Sequence, residues 1–116
     1  MSFVIRRFEE PDEGRRFRKG RFDVIRLGGL TLGRASYAPG WRWSTDVGPR
    51  TGSESCPVEH VGLVLQGRAH VVMDDGAEID LAPGDAFHIL PGHDSWVVGE
   101  DPYVSLHFLG AETYAE

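Results

Sequence analysis

The chain has 116 residues and a formal charge of −6, with 41% apolar and 10% aromatic residues, 15 Gly and 7 Pro. That is one domain, large enough to bury a core unaided, and its single cysteine, Cys56, excludes an internal disulfide. No window is apolar for long enough to form a membrane helix, and Met1 to Arg7 lacks a signal-peptide core, so a cytoplasmic, reducing compartment is expected.

Taken in order, Phe3 to Phe8 alternates and predicts an N-terminal strand. Residues 9–20 suggest a helical turn or a solvated loop and hold all but the last residue of the basic run from Arg15 to Arg21. The first 26 residues hold 8 of the 12 Lys/Arg against 5 acids, while the remainder holds 4 against 13. A lone basic segment on an acidic chain is expected to pair with its own acidic body or a sister subunit, not with nucleic acid or a membrane. Phe22–Leu27 and Leu30–Tyr37 form a predicted hairpin about Gly28-Gly29. Pro39-Gly40 turns the chain into an extended piece starting at Trp41-Arg42-Trp43, and Asp46 to Ser53 is a predicted loop.

The stretch from Glu54 to Gly67 sets three possible ligands, Glu54, Cys56 and His60, beside an apolar run that stops at glycine. A buried strand from Val58 to Leu65 is predicted, with Val58, His60, Gly62 and Val64 on one face and Val61, Leu63 and Leu65 on the other. Cys56 shares the first face if the chain bends between Pro57 and Glu59, since Pro57 fixes its own φ and restricts Cys56. Four further strands follow: Arg68–Met73, Glu78–Leu81, Ala86–Leu90 and Ser95–Val98. They are separated by turns at Asp74-Asp75-Gly76, Ala82 to Asp85 and Pro91 to Asp94. Gly99 to Pro102 leads to a last strand, Tyr103–Leu109, and a short polar tail. Many short strands at near-regular spacing, almost without helix, predict an all-β sandwich or barrel.

The order of these pieces resembles the cupins, small double-stranded β-helix (jelly-roll) barrels. The family's first motif is a His-x-His pair, an acidic residue, then six residues and a glycine. Anchored on Gly67, His60 stands at the family's Glu, Cys56 at its second histidine and Glu54 at its first. Gly84-Asp85-Ala86-Phe87-His88-Ile89-Leu90-Pro91-Gly92 resembles the second motif, whose closing histidine falls at Ser95, with His93 two positions earlier. The resemblance spans roughly residues 32–109. It implies a single cupin domain, with a core barrel over about 21–110 and a pocket that holds one small organic ligand.

Within such a barrel Cys56 and His60 would share an inward strip and His93 would approach from the opposite sheet. Cys/His/His is a pattern for zinc with an open position, and the soft thiolate favours zinc. The family's habits favour iron or nickel dioxygenases, and manganese is not excluded. The alternative is a buried thiol among hydrogen-bonded histidines. Glu54 is a ligand, a general base or a solvated loop residue. Asp94 either orients His93 or holds a turn. His70 and His88 are expected to face outward, and His107 is a reserve candidate for the site. Trp41 and Trp43 are core, a dimer contact or an aromatic wall for the ligand, with Arg42 or Arg50 as an anion clamp. Trp96 is expected in the core. Two functions follow: a ligand-binding domain, or a small metalloenzyme (isomerase, lyase, hydrolase or dioxygenase). Apolar residues on both faces of 58–65 predict a homodimer, with the strand at 3–8 a candidate for exchange.

Overall fold

The computed structural model describes residues 2–116 and builds them from short antiparallel strands. Six of these form one sheet in the order β1-β2-β3-β9-β4-β7: β1 (Glu13–Phe17), β2 (Gly20–Leu27), β3 (Leu30–Tyr37), β4 (His60–Gln66), β7 (Ala86–Ile89) and β9 (Tyr103–Leu109). The other three, β5 (Arg68–Met73), β6 (Glu78–Leu81) and β8 (His93–Val98), form a second sheet in the order β6-β5-β8. Local turns explain the β2–β3 hairpin, where Gly28 and Gly29 take positive φ. Long-range pairing explains the barrel: β9 lies between β3 and β4, joining segments that are far apart in sequence.

Period-two alternation in β4 appears as expected. His60, Gly62 and Val64 are buried, Val61 and Leu63 are half-buried and Leu65 is exposed. The β4–β9 ladder shifts register between Val61 and Gly62. A side chain at Gly62 would collide with the Leu106 carbonyl and the Phe87 ring, so glycine permits this close approach. The core between the sheets includes Phe22, Val24, Tyr37, Trp41, Trp43, Val47, Cys56, Val64 and Val71.

Four expectations about elements are corrected. Residues 3–8 form no strand: Phe3, Val4 and Ile5 are 71%, 69% and 74% exposed and have no ladder partner, without which an alternating sequence has no sheet to join. The first strand lies instead at Glu13–Phe17, inside the stretch read as turn or loop, because β2 offers it an edge on which Arg15 opposes Phe22. The expected extended piece and loop contain two four-residue helices, α1 (Trp43–Asp46) and α2 (Gly48–Thr51). Pro49 sits in the first turn of α2, and Gly52 ends it in the left-handed conformation at φ +77. β8 starts at His93 rather than Ser95 and β7 ends at Ile89 rather than Leu90, so the turn between them is Leu90 to Gly92, one residue shorter than predicted.

The tail is not merely polar. After Gly110 the chain forms a turn that buries Ala111, Tyr114 and Ala115. Arg15, itself buried, donates to the carbonyls of Ala111, Tyr114 and Glu112 at 2.8, 2.7 and 2.8 Å. A buried guanidinium with its donors satisfied in this way avoids the cost of an unpaired buried charge. Among the described residues no helix is long and apolar enough to cross a membrane.

Candidate metal centre and cavity

Cys56 lies just before β4 and makes its own bridge to His93: its N–H donates to the His93 carbonyl at 2.7 Å, and Gly92 N–H donates to the Cys56 carbonyl at 2.8 Å. Residues 57–59 join no ladder, and β4 begins at His60. A straight strand would separate Cys56 from His60 by about 13 Å. Instead Cys56 Sγ stands 3.6 Å from His60 Nε2, so the chain bends across Pro57 to Glu59. His93, on the opposite sheet, completes the group, with one ligand atom from each residue lying within 4.8 Å of the others. All three residues are buried. Among the described residues they are the only such cluster of His, Cys, Asp or Glu.

Burial sets the protonation. It pushes the Cys56 thiol up to about 12 and, helped by His107 and His93 nearby, His60 down to about 2. Burial also lowers His93 and takes His107 down to about 3. The imidazoles are therefore neutral and able to donate lone pairs, while the thiol must lose its proton to an arriving metal. The Leu90 carbonyl lies 2.8 Å from His93 Nδ1, which fixes the tautomer with hydrogen on Nδ1 and leaves Nε2 free. Buried His60 Nδ1 has no hydrogen-bond partner. The donor set thus fits a borderline-soft divalent ion, with the orientation of His93 built in and that of His60 set by packing.

A cavity of about 40 Å³ adjoins the cluster and is lined by His60, His93, His107, Tyr37, Trp41, Trp43, Tyr103, Ser105 and Tyr114, among others. Trp41 stacks on Tyr37 at 3.8 Å, and the Tyr37 hydroxyl donates to that of Tyr114 at 2.8 Å. His107 packs 5.1 Å from His60 between ring centres, and its Nε2 lies 2.9 Å from Ser105 Oγ. Trp41 Nε1, Trp43 Nε1 and His107 Nδ1 are buried without partners. Burial raises Tyr37, Tyr103 and Tyr114, so the lining carries hydrogen-bonding groups but no fixed charge.

The structure brings Cys56, His60, His93, His107, Trp41 and Trp43 together and sends the other candidates elsewhere. Glu54 is exposed in a bend and lines neither the cavity nor the cluster, because Ser53 to Ser55 run over the surface. Arg42, flanked by two inward tryptophans, points out by parity: its guanidinium lies 4.0 Å over the Trp96 ring and 3.7 Å from Asp94. It is no anion clamp for the cavity, and neither is exposed Arg50. Trp96 is half-buried on the outer face of the second sheet between Arg42 and His70, not in the core, because its neighbours Ser95 and Val97 take the inward positions. Asp94 accepts from Ser44 N–H at 2.9 Å and Ser44 Oγ at 2.8 Å, so it holds α1, while Leu90 orients His93. His70 faces outward between Asp80 and Glu78, which raise its pKa, and His88 outward against Glu59. Sequence reasoning missed Tyr37 and Tyr114, while Tyr103 and Ser105 share the strand face of the reserve candidate His107. The one signal for Tyr114 was Ala111-x-x-Tyr-Ala in an otherwise polar tail.

No family model matches the chain, and no curated protein sequence matches it. Solved structures do. One of unknown function from Rhizobium leguminosarum bv. viciae 3841 superposes with TM-score 0.62 at 20% identity, over 92% of this chain and 95% of that one. A cupin-2 domain protein from Rhodospirillum rubrum gives 0.57 at 18%, over 90% and 65%. A cupin superfamily protein from Desulfitobacterium hafniense DCB-2 gives 0.54 at 20%, over 81% of each. At these identities the likeness is one of fold. The chain has the cupin jelly-roll fold, as its motif order implied.

Proposed function

We propose that this cupin-fold chain binds one divalent metal ion, zinc in preference to iron, nickel or manganese, through Cys56, His60 and His93, and with it a small uncharged organic molecule. The observation that carries the reading is the convergence of three buried ligand atoms within 4.8 Å, drawn from a bent segment and from the facing sheet. When bound, the ion would supply Lewis-acid chemistry at the cavity wall. The chain's own residues do the rest. Leu90 sets the His93 tautomer, aromatic rings wall the cavity, and Tyr37, Tyr114, Ser105 and His107 offer hydrogen bonds. The absence of Arg or Lys from the cavity lining disfavours a carboxylate or phosphate ligand.

Binding is favoured over catalysis by the same lining. His60, His107 and the phenols are held far from neutrality in pKa, so none of these is poised as a general acid or base near pH 7. The metalloenzyme alternative, an isomerase, lyase, hydrolase or dioxygenase, needs the metal to provide that function. A reducing, cytoplasmic setting suits the free thiol. Elemental analysis after zinc titration tests the reading: one zinc per chain is expected in the native protein, and none in Cys56→Ala or His60→Ala, both with an unchanged far-ultraviolet spectrum. Full occupancy in both variants would place the site elsewhere.

A further inference from the structure

A cavity of about 40 Å³ has room for ordered water but not for an organic molecule, whose pockets measure roughly 300–1,000 Å³. An organic molecule fits only if a wall moves. On the far side of that wall lies an outer cleft of about 630 Å³, bordered by Cys56 and by the turn after β9. Tyr114 and Trp43 line both spaces and so form the partition. Trp43 is rooted in α1, which is held from β8 through Asp94. Tyr114 sits on a seven-residue terminal segment that joins no ladder.

That segment has the parts of a hinge and a latch. Gly110 turns at φ +94, where a Cβ would strike the Glu59 carbonyl and press on His60 Nδ1. The turn is closed by the Tyr114 N–H to the Gly110 carbonyl at 3.2 Å, a bond that breaks when the segment swings out. Its buried and part-buried polar ties to the barrel are the carbonyl bonds from Arg15, on the first strand, and the bond from the Tyr37 hydroxyl to Tyr114, while Glu112 adds exposed bonds to Arg26 at 3.0 Å and Thr31 at 2.6 Å. The Tyr114 ring covers His60 at 5.0 Å between centres. A segment held by side-chain bonds and outside every ladder opens locally at less cost than a strand within the sheets.

The geometry points to residues 110–116 as a lid, hinged at Gly110 and latched by Arg15, whose opening withdraws Tyr114 and joins the inner cavity to the outer cleft so that a small uncharged molecule reaches Cys56, His60 and His93. The ligand's identity rests on the function proposed above, whereas the motion itself requires no metal. Cys56 reports it in chelator-treated full-length protein, because the thiol is fully buried while the lid is shut. Labelling by N-ethylmaleimide, followed by mass spectrometry, is expected to run about tenfold faster in Arg15→Met than its global stability accounts for. Val71→Ala, a core change in the second sheet, sets that baseline. Arg15→Met falling on the same line as Val71→Ala overturns the lid. Native-state hydrogen exchange of the unmutated protein gives an independent reading should Arg15→Met fold poorly. The Tyr114 amide is expected to exchange at least about 100-fold faster than that of Ser105 in β9. Equal rates would mean that the turn opens only with the whole barrel. Failure of the metal assignment would appear in the zinc titration and leave both measurements unaffected.

Discussion

Acidifying the metal-free protein from pH 7.5 to 5 should cost it much of its stability, and the buried imidazoles say how much. His107 has its pKa lowered from 6.5 to about 3 and His60 from 6.5 to about 2, chiefly by desolvation. Both therefore stay neutral in the fold across this range and take up a proton on unfolding. A lowered folded-state pKa contributes stability that is complete above the unfolded value, here 6.5, and is lost as pH falls below it. At pH 5 each group is expected to have lost about 2 kcal/mol, so the pair loses about 4. His93 shifts in the same direction and adds to the loss. Against a domain stability of roughly 5–15 kcal/mol this removes between about a quarter and most of it. Urea denaturation of chelator-treated protein at pH 7.5, 6.5 and 5.0 measures it, with a constant m-value required for the comparison. His107→Gln should recover about 2 kcal/mol of the pH-dependent loss, whatever its effect at pH 7.5. A free energy of unfolding that stays flat between pH 7.5 and 5.0 would refute the claim that these rings are buried and neutral.

Gly62→Ala should destabilise the barrel by about 1–3 kcal/mol, because its Cβ meets the backbone carbonyl of Leu106 and cannot be relieved by a side-chain rotation. A midpoint in urea equal to that of the unsubstituted protein would show that β4 and β9 are less closely apposed. A homodimer is expected in solution. Phe108 and Leu109 at one end of the β4–β9 ladder are 50% and 48% exposed, Leu65 at its other end is 48% exposed, and the apolar residues Phe3, Val4 and Ile5 are uncovered. Light scattering at the 12.9 kDa mass of one chain across micromolar concentrations would refute the dimer.

The barrel could be read from residues because its determinants are local. Gly28-Gly29, Asp74-Asp75-Gly76 and Pro91-Gly92 mark the turns, and alternation between them assigns faces, so the inward positions of His60 and Val64 follow from parity alone. Parity also set Trp41 and Trp43 against Arg42, although a helix starts at Trp43. Chain-distant contacts decided the rest. The segment at 13–17 becomes a strand because β2 presents an edge to it, whereas the better-patterned residues 3–8 have no edge and stay irregular. His93 was two positions from the family's expected ligand, and only the bridge to Cys56 across the facing sheets carries it into the site. The terminal turn lay beyond any local reading. Arg15 reaches Tyr114 across 99 positions, and no propensity or period in the polar tail encodes that a guanidinium near the start of the chain will hold its end shut.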